Sequence, residues 1–308
     1  MAIVRILHLS DLHLAGTFWY KRSRHLNVYD LDAFSALAEV VCQWRDSIDA
    51  ILVSGDIAAT GCKKDLSRSI DLLSPAHESG SHAALRSRKR TPTRQSFDFS
   101  KPIILLPGNH DRYANMSGWP GKRFDKYFSS FWKAGIGGVQ TSFLPYNQPP
   151  VLAVICADFS LEKPSHSSRL VAGGHWGQGK VYEDRLANLV EETCRVSESC
   201  PGCAILWMIH FAPKFENYKA LDDRLCLLES DNLIQEAEKY RIKYILCGHT
   251  HEHADYMIRG TRLITVHCAG SSACIEPRKQ TSMHLRLIEI EDGEIARMRS
   301  MTYCYNPD

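Results

Sequence analysis

The stretch 3–14, IVRILHLSDLHL, begins as a short apolar run and passes directly into a polar cluster. Residues 3–9 have the length and the β-branched content of a buried strand. Ser10 and Asp11 end this run, and His13 follows two residues after Asp11. The stretch therefore predicts a buried strand whose carboxyl end carries Asp11 and His13.

The same arrangement, an apolar strand that ends at polar side chains, recurs four times farther along the chain. Segments with helical spacing of apolar residues separate the strands, and this alternation is typical of an α/β fold. Ligands bind at the carboxyl ends of strands in open α/β sheets, so these polar residues are expected to meet at one edge. The predicted strand 51–53 precedes Asp56, and the strand 103–106 precedes Asn109, His110 and Asp111. The strand 204–209 precedes His210, and the strand 243–247 precedes His249 and His251. Helices are predicted at 30–45, 64–73, 182–195 and 231–240, and further strands at 151–156, 262–268 and 284–290.

The residue types in these five clusters indicate metal binding. Carboxylate, imidazole and amide-oxygen groups suit divalent metals such as Mn, Fe or Zn. The clusters contain no cysteine, which argues against a structural cysteine-rich zinc site. Residues i and i+2 of an extended chain point the same way, so Asp11 with His13, and His249 with His251, are each expected to place two ligands in one pocket. Two metal ions about 3.5–4 Å apart can stabilise both the attacking and the leaving oxygen of a displacement at phosphorus.

The whole series of motifs resembles the calcineurin-like metallophosphoesterase family. All five motifs of that family are present, in the family's order, between residues 11 and 251. The resemblance implies an α/β fold in which two β-sheets pack as a sandwich flanked by helices, in four layers α/β/β/α. It also implies a phosphoric ester hydrolase with two divalent metal ions, of Mn, Fe or Zn. The motifs are Asp11-x-His13, Gly55-Asp56, Gly108-Asn109-His110-Asp111, His210 and Gly248-His249-x-His251.

The resemblance implies a role for each of these residues. Asp56 would bridge the two metals, and a hydroxide between them would be the nucleophile. His110 would lie outside the ligand shell and protonate the leaving group or stabilise the transition state. Asp111 would orient His110 through a hydrogen bond. One metal would be held by Asp11, His13, Asp56 and His251, and the other by Asp56, Asn109, His210 and His249.

The strings around these motifs resemble the class III cyclic-nucleotide phosphodiesterase branch of the family. This resemblance implies a small diester, such as a cyclic nucleotide, as the substrate. Three other hypotheses stay open. The first is a phosphomonoesterase that acts on a nucleotide, a lipid headgroup or a phosphoprotein. The second is a metal-dependent nuclease, and the third is a metal-stabilised scaffold that does not turn over substrate. The basic run 86–94 favours the nuclease, whereas the near-neutral chain argues against it. The strings are 9–14, 54–57, 106–111 and 247–251.

Length and composition limit the remaining properties. The chain has 308 residues with 44% hydrophobic and 23% charged residues, which is typical of a globular protein, and one domain over 1–308 is predicted. The formal net charge of +2 gives no overall attraction for nucleic acid. The start lacks the apolar core and cleavage site of a signal peptide, and no apolar run approaches the length of a membrane span. A cytoplasmic protein without a membrane partner is therefore expected.

Residues 74–100 form a polar, basic insertion for which the sequence predicts no secondary structure. A structureless connection of this length is unusual inside a compact domain. A disordered surface loop is one interpretation. A basic flap over a phosphate-bearing substrate is the other.

Several residues outside the five clusters have open roles. The odd number of cysteines, 11, argues against a disulfide framework and favours reduced thiols. The motif Cys200-Pro-Gly-Cys203 has redox spacing but is also compatible with a plain turn. Arg112 and Tyr113 either contact substrate or have surface or packing roles. His253 either reaches the site or lies in a solvated loop.

Overall fold

The computed structural model describes the polypeptide in twelve stretches. The basic insertion at 74–100 lies outside them, and the single domain over 1–308 stays a prediction. The described residues are 3–14, 28–29, 31–73, 101–113, 121–146, 148–161, 177–213, 225, 227–259, 263–275, 282–292 and 294–304.

Strands and helices alternate over most of the chain, as the sequence predicts. Every strand and helix predicted above is present, with bounds that differ by a few residues. The strands are β1 Ile3–Leu9, β2 Val28–Tyr29, β3 Ala50–Val53, β4 Ile103–Leu105, β5 Val139–Leu144, β6 Leu152–Ala157, β7 Gly179–Lys180, β8 Ala204–Met208, β9 Leu227–Leu228, β10 Tyr244–Cys247, β11 His253–Arg259, β12 Leu263–Ala269, β13 Cys274–Ile275, β14 Ser282–Glu291 and β15 Glu294–Cys304. The helices are α1 Leu31–Trp44, α2 Lys63–Leu73, α3 Asn109–Arg112, α4 Arg123–Tyr127, α5 Glu183–Ser199 and α6 Ser230–Lys239.

Two mixed β-sheets contain the five strands that precede the polar clusters. The first sheet has the order β15-β14-β1-β3-β4, and β1, β3 and β4 are parallel. The second has the order β11-β12-β10-β8-β6-β5, and β6, β8, β10 and β12 are parallel. Strands β3 and β6 are buried along their whole length, because a sheet covered on both faces needs continuous apolar strands.

The two sheets pack face to face with helices outside them. One apolar cluster joins β1, β3 and β14 of the first sheet to β6, β8 and β10 of the second, and α1 and α2 add residues to it. A second cluster lies between the other face of the second sheet and helices α5 and α6. The predicted sandwich of two sheets flanked by helices is therefore confirmed. None of the helices in the described part of the chain is long and apolar enough to cross a bilayer.

Three longer strands were not predicted. They are the edge strands β5, β11 and β15, and each of them pairs with a predicted strand. Residues of an edge strand are only half covered, so their apolar signal is weak; all but one of the residues of β5 are partly exposed. The pairing of β14 with β15 extends to Glu291 with Glu294. The sequence between them is Asp-Gly, and this dipeptide is the strongest short-range hairpin signal in a sequence.

Candidate metal centre

The five polar clusters meet at the carboxyl ends of β1, β3, β4, β8 and β10, where the two sheets adjoin. Backbone hydrogen bonds join the loops that carry them. The amide of Asp11 donates to the Gly55 carbonyl (3.0 Å), and the amide of Gly248 donates to the His210 carbonyl (3.0 Å). Within each sheet, neighbouring loops are thus held together by the backbone alone.

The first group of candidate ligands consists of Asp11, His13, Asp56 and His251. Their ligand atoms all lie within 4.8 Å of one another. His13 Nε2 is 3.0 Å from His251 Nε2 and 3.8 Å from one oxygen of each carboxylate. The Asp11 oxygen near His13 is also 3.4 Å from His251 Nε2. Four ligand atoms therefore converge on one small volume, as a metal ion requires.

The second group consists of Asp56, His210 and His249, and it shares Asp56 with the first. His210 Nε2 lies 3.5 Å from Asp56 Oδ2 and 3.0 Å from the side-chain oxygen of Asn109. The rings of His210 and His249 are 5.0 Å apart. The structure thus brings together all seven residues that the sequence singled out as metal ligands, with Asp56 between the two groups.

Three ligand atoms in these groups fit a metal ion because they are buried and have no hydrogen-bond partner. They are Asp11 Oδ1, Asp56 Oδ2 and His249 Nε2. A buried polar atom without a hydrogen-bond partner lowers the stability of the folded protein, unless a ligand or an ion binds to it. Carboxylate and imidazole donors suit divalent Mn, Fe or Zn, so this donor set fits two such ions.

The electrostatics of the histidines agree with this fit. Burial lowers the pKa of His13 well below its ordinary value. Burial and the neighbouring His210 lower the pKa of His249 to about 3. Both rings are therefore neutral, and the neutral imidazole is the form that binds metals. Burial also acts to lower the pKa of His210, but the charge of Asp56 outweighs it and raises this pKa to about 9. A cation at this position would replace the proton of His210, because metal ligands must be deprotonated.

His110 lies beside the two groups without belonging to either. Its Nε2 is 4.0 Å from Asp56 Oδ2, and its ring centroid is 4.4 Å from that of His13. Its side chain is 19% exposed, whereas the side chains of His13 and Asp56 are almost completely buried. The Nδ1 atom pairs with the carbonyl oxygen of Ala59 at 2.8 Å. The ring is thus held from behind, with Nε2 toward the metal-binding groups.

Asp111 has different partners from those expected. The resemblance implied a hydrogen bond between Asp111 and His110. The Asp111 carboxylate instead accepts hydrogen bonds from the backbone N–H groups of Ile57 (3.1 Å), Ala58 (2.7 Å) and Gly108 (2.9 Å). The amides of Ile57 and Ala58 directly precede the Ala59 carbonyl that pairs with His110. Asp111 therefore acts on the loop that holds His110. Burial and the charge of Asp56 raise the pKa of Asp111 to about 7, and cations at the site would offset the charge of Asp56.

Backbone strain is concentrated at the candidate ligands. The left-handed region is rare for residues other than glycine, and non-glycine residues held there cluster at functional sites. Five of the seven candidate ligands lie in it. The sequence pattern did not predict these conformations, because they are imposed by the tightly packed loops. The five residues are Asp11 (φ 53°), His13 (45°), Asp56 (51°), His249 (71°) and His251 (55°).

Two glycines allow the loops to approach the ligands closely. Gly55 has a φ of 98°, and a Cβ there would collide with the ring of His210. A Cβ on Gly108 would lie 2.5 Å from the backbone nitrogen of Asp56 and still closer to its carboxylate. Real Cβ contacts do not occur at such distances, so Asp56 must move if residue 108 carries a side chain.

Replacement of Gly108 by Ala is therefore expected to displace Asp56 and to weaken metal binding, although Gly108 is not a ligand. We expect a loss of turnover on the order of a hundredfold, since a displacement of about 1 Å in an active site costs that much. Metal content after dialysis and kcat measure the effect. Gly121→Ala is the matched control, because the nearest atom to its Cβ would be at an ordinary 3.4 Å. Full metal content and activity in Gly108→Ala would contradict the close approach.

Residues outside the predicted motifs also support the site. The Ser54 carbonyl accepts a hydrogen bond from His210 Nδ1 (2.7 Å), and Ser271 Oγ donates to the Asp11 carbonyl (3.1 Å). Ser272 Oγ accepts from the amide of Ser10 (3.1 Å). Sequence analysis missed Ser271 and Ser272, because serine is a common residue and these two lie far from Asp11 in the chain.

The residues whose roles were open fall outside the ligand groups. Arg112 is buried and binds Asp158 and Asp125, so the packing alternative is confirmed for it. Tyr113 is also buried, and its hydroxyl donates to the Gln178 carbonyl (3.0 Å). His253 begins β11, and its Nε2 pairs with the Ser300 hydroxyl at 2.7 Å.

Comparisons with known proteins agree with this geometry. A family model described as calcineurin-like phosphoesterase matches residues 4–253. The 3′,5′-cyclic adenosine monophosphate phosphodiesterase CpdA of Escherichia coli K12 is 24% identical over 276 residues, which are 89% of this chain and 78% of that protein. CpdA of Vibrio vulnificus is 23% identical over 280 residues, with 89% and 77% covered.

Two solved structures share the fold. A dimetal phosphatase from Danio rerio superimposes with a TM-score of 0.57 at 12% identity, with 98% of this chain and 99% of that chain covered. A purple acid phosphatase from yellow lupin seeds has a TM-score of 0.57 at 10% identity, with 98% and 54% covered. At these identities the likeness concerns the fold alone.

Proposed function

The chain belongs to the calcineurin-like phosphoesterase family and is a hydrolase of phosphate esters, and from this premise we propose that it is a dinuclear phosphodiesterase acting on a small diester such as a 3′,5′-cyclic nucleotide. The observation that carries the proposal is the pair of ligand groups that share Asp56. The substrate class is supported by the CpdA relatives, which are cyclic AMP phosphodiesterases.

The seven candidate ligands would hold two divalent ions of Mn, Fe or Zn. When bound, the ions would lower the pKa of a water molecule and neutralise negative charge on the phosphate. Asp56 has one oxygen available to both groups, while its other oxygen accepts the backbone N–H of His110 at 2.8 Å. Asp56 thereby holds the start of α3, and the same side chain would hold both ions. The first ion would have Asp11, His13, Asp56 and His251, and the second Asp56, Asn109, His210 and His249.

His110 would supply a proton to the leaving oxygen. It is the most exposed of the polar side chains at this site, at 19%, and its Nε2 lies within 4.0 Å of Asp56. The carbonyl of Ala59 accepts from Nδ1, so Nδ1 carries one proton and Nε2 is the atom that gains or gives the other. A group in this position can protonate an alkoxide that would otherwise leave slowly.

Asp111 would be a positioning residue that acts on His110 through the loop 57–59. Its carboxylate fixes the amides of Ile57 and Ala58, and the next residue holds the His110 ring. Because Gly108 donates to the same carboxylate, Asp111 also ties this loop to the β4–α3 turn. One buried side chain thus connects His110 to the loop that directly follows Asp56.

Replacement of Asp111 by Asn is expected to lower kcat on a substrate with a poor leaving group more than on one with a good leaving group. The amide NH2 of asparagine cannot accept, so at least one of the three backbone N–H groups loses its partner, at a cost of about 1–3 kcal/mol of stability. Leaving-group dependence separates positioning of His110 from general destabilisation. In a His110→Asn background, Asp111→Asn should add little. If the loss in His110→Asn depends on the leaving group and the loss in Asp111→Asn does not, Asp111 has a purely structural role.

The proposed function is tested by hydrolysis of bis(p-nitrophenyl) phosphate and p-nitrophenyl phosphate by Mn-loaded protein, with a chelator-treated sample as control. We expect chelator-sensitive turnover with a clear preference for the diester. A screen of 3′,5′-cyclic nucleotides follows from that result. A preference for the monoester would overturn the diesterase proposal in favour of a phosphatase, and nucleotides and phosphoproteins would then be the substrates to test.

A further inference from the structure

The connection between α5 and β8 is a tight turn that contains two cysteines. The amide of Cys203 donates to the carbonyl of Cys200 at 3.0 Å, which closes a four-residue β-turn. Gly202 has a φ of 92°, the conformation that the third position of a type II turn requires, and Pro201 occupies the second position, where proline is favoured. The sequence Cys-Pro-Gly-Cys therefore specifies this turn.

The turn brings the two thiols within reach of each other. The first and last Cα atoms of a β-turn lie less than about 7 Å apart. Disulfides join Cα atoms about 4.4–6.8 Å apart, so the Cα separation of a β-turn is compatible with closure. Since the turn is already formed, each thiol meets the other at the high effective concentration of an intramolecular reaction.

Solvent reaches the turn. Cys200 and Cys203 are partly exposed, and Pro201 and Gly202 are exposed. A Cβ built on Gly202 would meet no atom within 4 Å, so the space beside this glycine is open. The buried pair Cys247 and Cys268 differs in this respect. Its sulfurs are 2.8 Å apart, but both residues are covered by the core.

We propose that Cys200 and Cys203 are a site of reversible oxidation, at which an intramolecular disulfide forms by exchange with a low-molecular-weight disulfide such as glutathione disulfide. The thiolate of Cys200 attacks one sulfur of glutathione disulfide, and one glutathione thiolate leaves. The Cys203 thiol loses its proton to solvent and attacks the Cys200 sulfur, and the second glutathione leaves. Two protein thiols and one glutathione disulfide thus give one protein disulfide and two glutathione thiols.

The order of attack follows from the surroundings of Cys203. Burial and the neighbouring Cys200 raise its pKa to about 11, so it is mostly protonated near neutrality and is the resolving thiol rather than the first nucleophile. Its hydrogen also points to the Ala204 carbonyl, at 3.6 Å. The turn follows the carboxyl end of α5, whereas activated cysteines of disulfide oxidoreductases lie at helix amino ends. The site is therefore an acceptor of oxidation and not an oxidoreductase centre, and exchange without a catalyst is expected to take minutes to hours.

The turn is separate from the metal centre. It lies at the amino end of β8, while His210 follows the carboxyl end of the same strand. The described residues that group as candidate metal ligands do not include Cys200, Cys203 or the nearby Cys194. The site thus accepts oxidation independently of the phosphoesterase activity.

The test is equilibration of the full-length protein in glutathione buffers of rising disulfide fraction, followed by acid quench, alkylation and tryptic mass spectrometry. Cleavage after Arg195 and Lys214 yields the peptide 196–214, in which Cys200 and Cys203 are the only cysteines, while Cys194 lies in the preceding peptide. As the disulfide fraction rises, we expect peptide 196–214 to appear without alkyl groups, at a mass two hydrogen atoms below that of the reduced, unalkylated peptide. The doubly alkylated form should return on addition of reductant before alkylation. Cys194→Ser should behave as the unaltered protein.

Two variants separate the turn geometry from simple thiol reactivity. Cys203→Ser should stop at the mixed disulfide and carry one glutathione on Cys200. In Gly202→Ala, the alanine disfavours the φ of 92° that the turn requires. The midpoint of disulfide formation should therefore shift to a higher fraction of glutathione disulfide. The proposal is overturned if both cysteines of the unaltered protein stay alkylatable, or if they collect separate glutathione adducts without the internal bond.

Discussion

Asp56→Asn is expected to bind neither metal tightly and to lower kcat on a phosphodiester by on the order of a thousandfold or more. Asp56 is the residue that both ligand groups share. Its Oδ2 atom lies 3.5 Å from His210 Nε2 and 3.8 Å from His13 Nε2, and it has no hydrogen-bond partner. The amide removes the negative charge that would lie between two cations, while the size of the side chain is unchanged.

The measurement is metal content per chain after loading and dialysis, together with kcat on the diester. Asp46→Asn is the matched control, because its side chain is 96% exposed and lies in a turn after α1. Circular dichroism shows whether Asp56→Asn stays folded. A folded Asp56→Asn protein with two metals per chain and full turnover would refute the shared-ligand centre.

The position of the candidate site could be predicted from the sequence, because its candidate ligands follow short apolar strands. A run such as Ala50–Val53 is buried throughout and ends at Gly55-Asp56, so strand, loop and ligand are read from adjacent residues. The carboxyl ends of parallel strands lie at one edge, which places distant residues such as Asp11 and His251 together. Local pattern and general topology were sufficient for this part.

The support around the ligands could not be predicted, since it depends on contacts between distant segments. The partners of Asp111 are backbone amides of Ile57 and Ala58, which have no side-chain signature. Ser271 holds the Asp11 carbonyl from 260 positions away in the chain. The strand β15 was missed for another reason, because most of its residues face solvent, although the turn at Asp292 gave a usable signal.

The substrate class is not determined by the ligand geometry. Monoesters and diesters both offer non-bridging phosphate oxygens to a pair of cations, so Asp11, Asp56 and His210 would serve either reaction. Discrimination depends on which side chains receive the second ester group. The stretches 15–27, 114–120 and 214–224, which follow ligand-bearing loops in the chain, lie outside the described residues. The assays with diester and monoester therefore test what the metal-binding residues do not specify.

His110→Asn is expected to keep both metals and to lower kcat about 10²–10⁴-fold on a diester with a poor leaving group, which is the contribution typical of a general acid. His110 belongs to neither ligand group, and its Nδ1 is held by Ala59. Asparagine can still donate to the Ala59 carbonyl, but it cannot transfer a proton. A nitrophenolate leaves without full protonation, so the same variant should lose much less activity on bis(p-nitrophenyl) phosphate than on an alkyl diester.

The dependence on leaving group distinguishes the two roles that His110 would have. A histidine that only stabilises charge on the phosphate acts on every ester alike, so its loss would lower kcat equally for aryl and alkyl diesters. A proton donor gives a deficit that grows as the leaving group becomes more basic. Unequal loss with unchanged metal content would assign proton transfer to Nε2. Equal loss would assign charge stabilisation to His110. Asp111, which acts on His110 through the loop that ends at Ala59, would then position a stabilising charge in place of a proton donor.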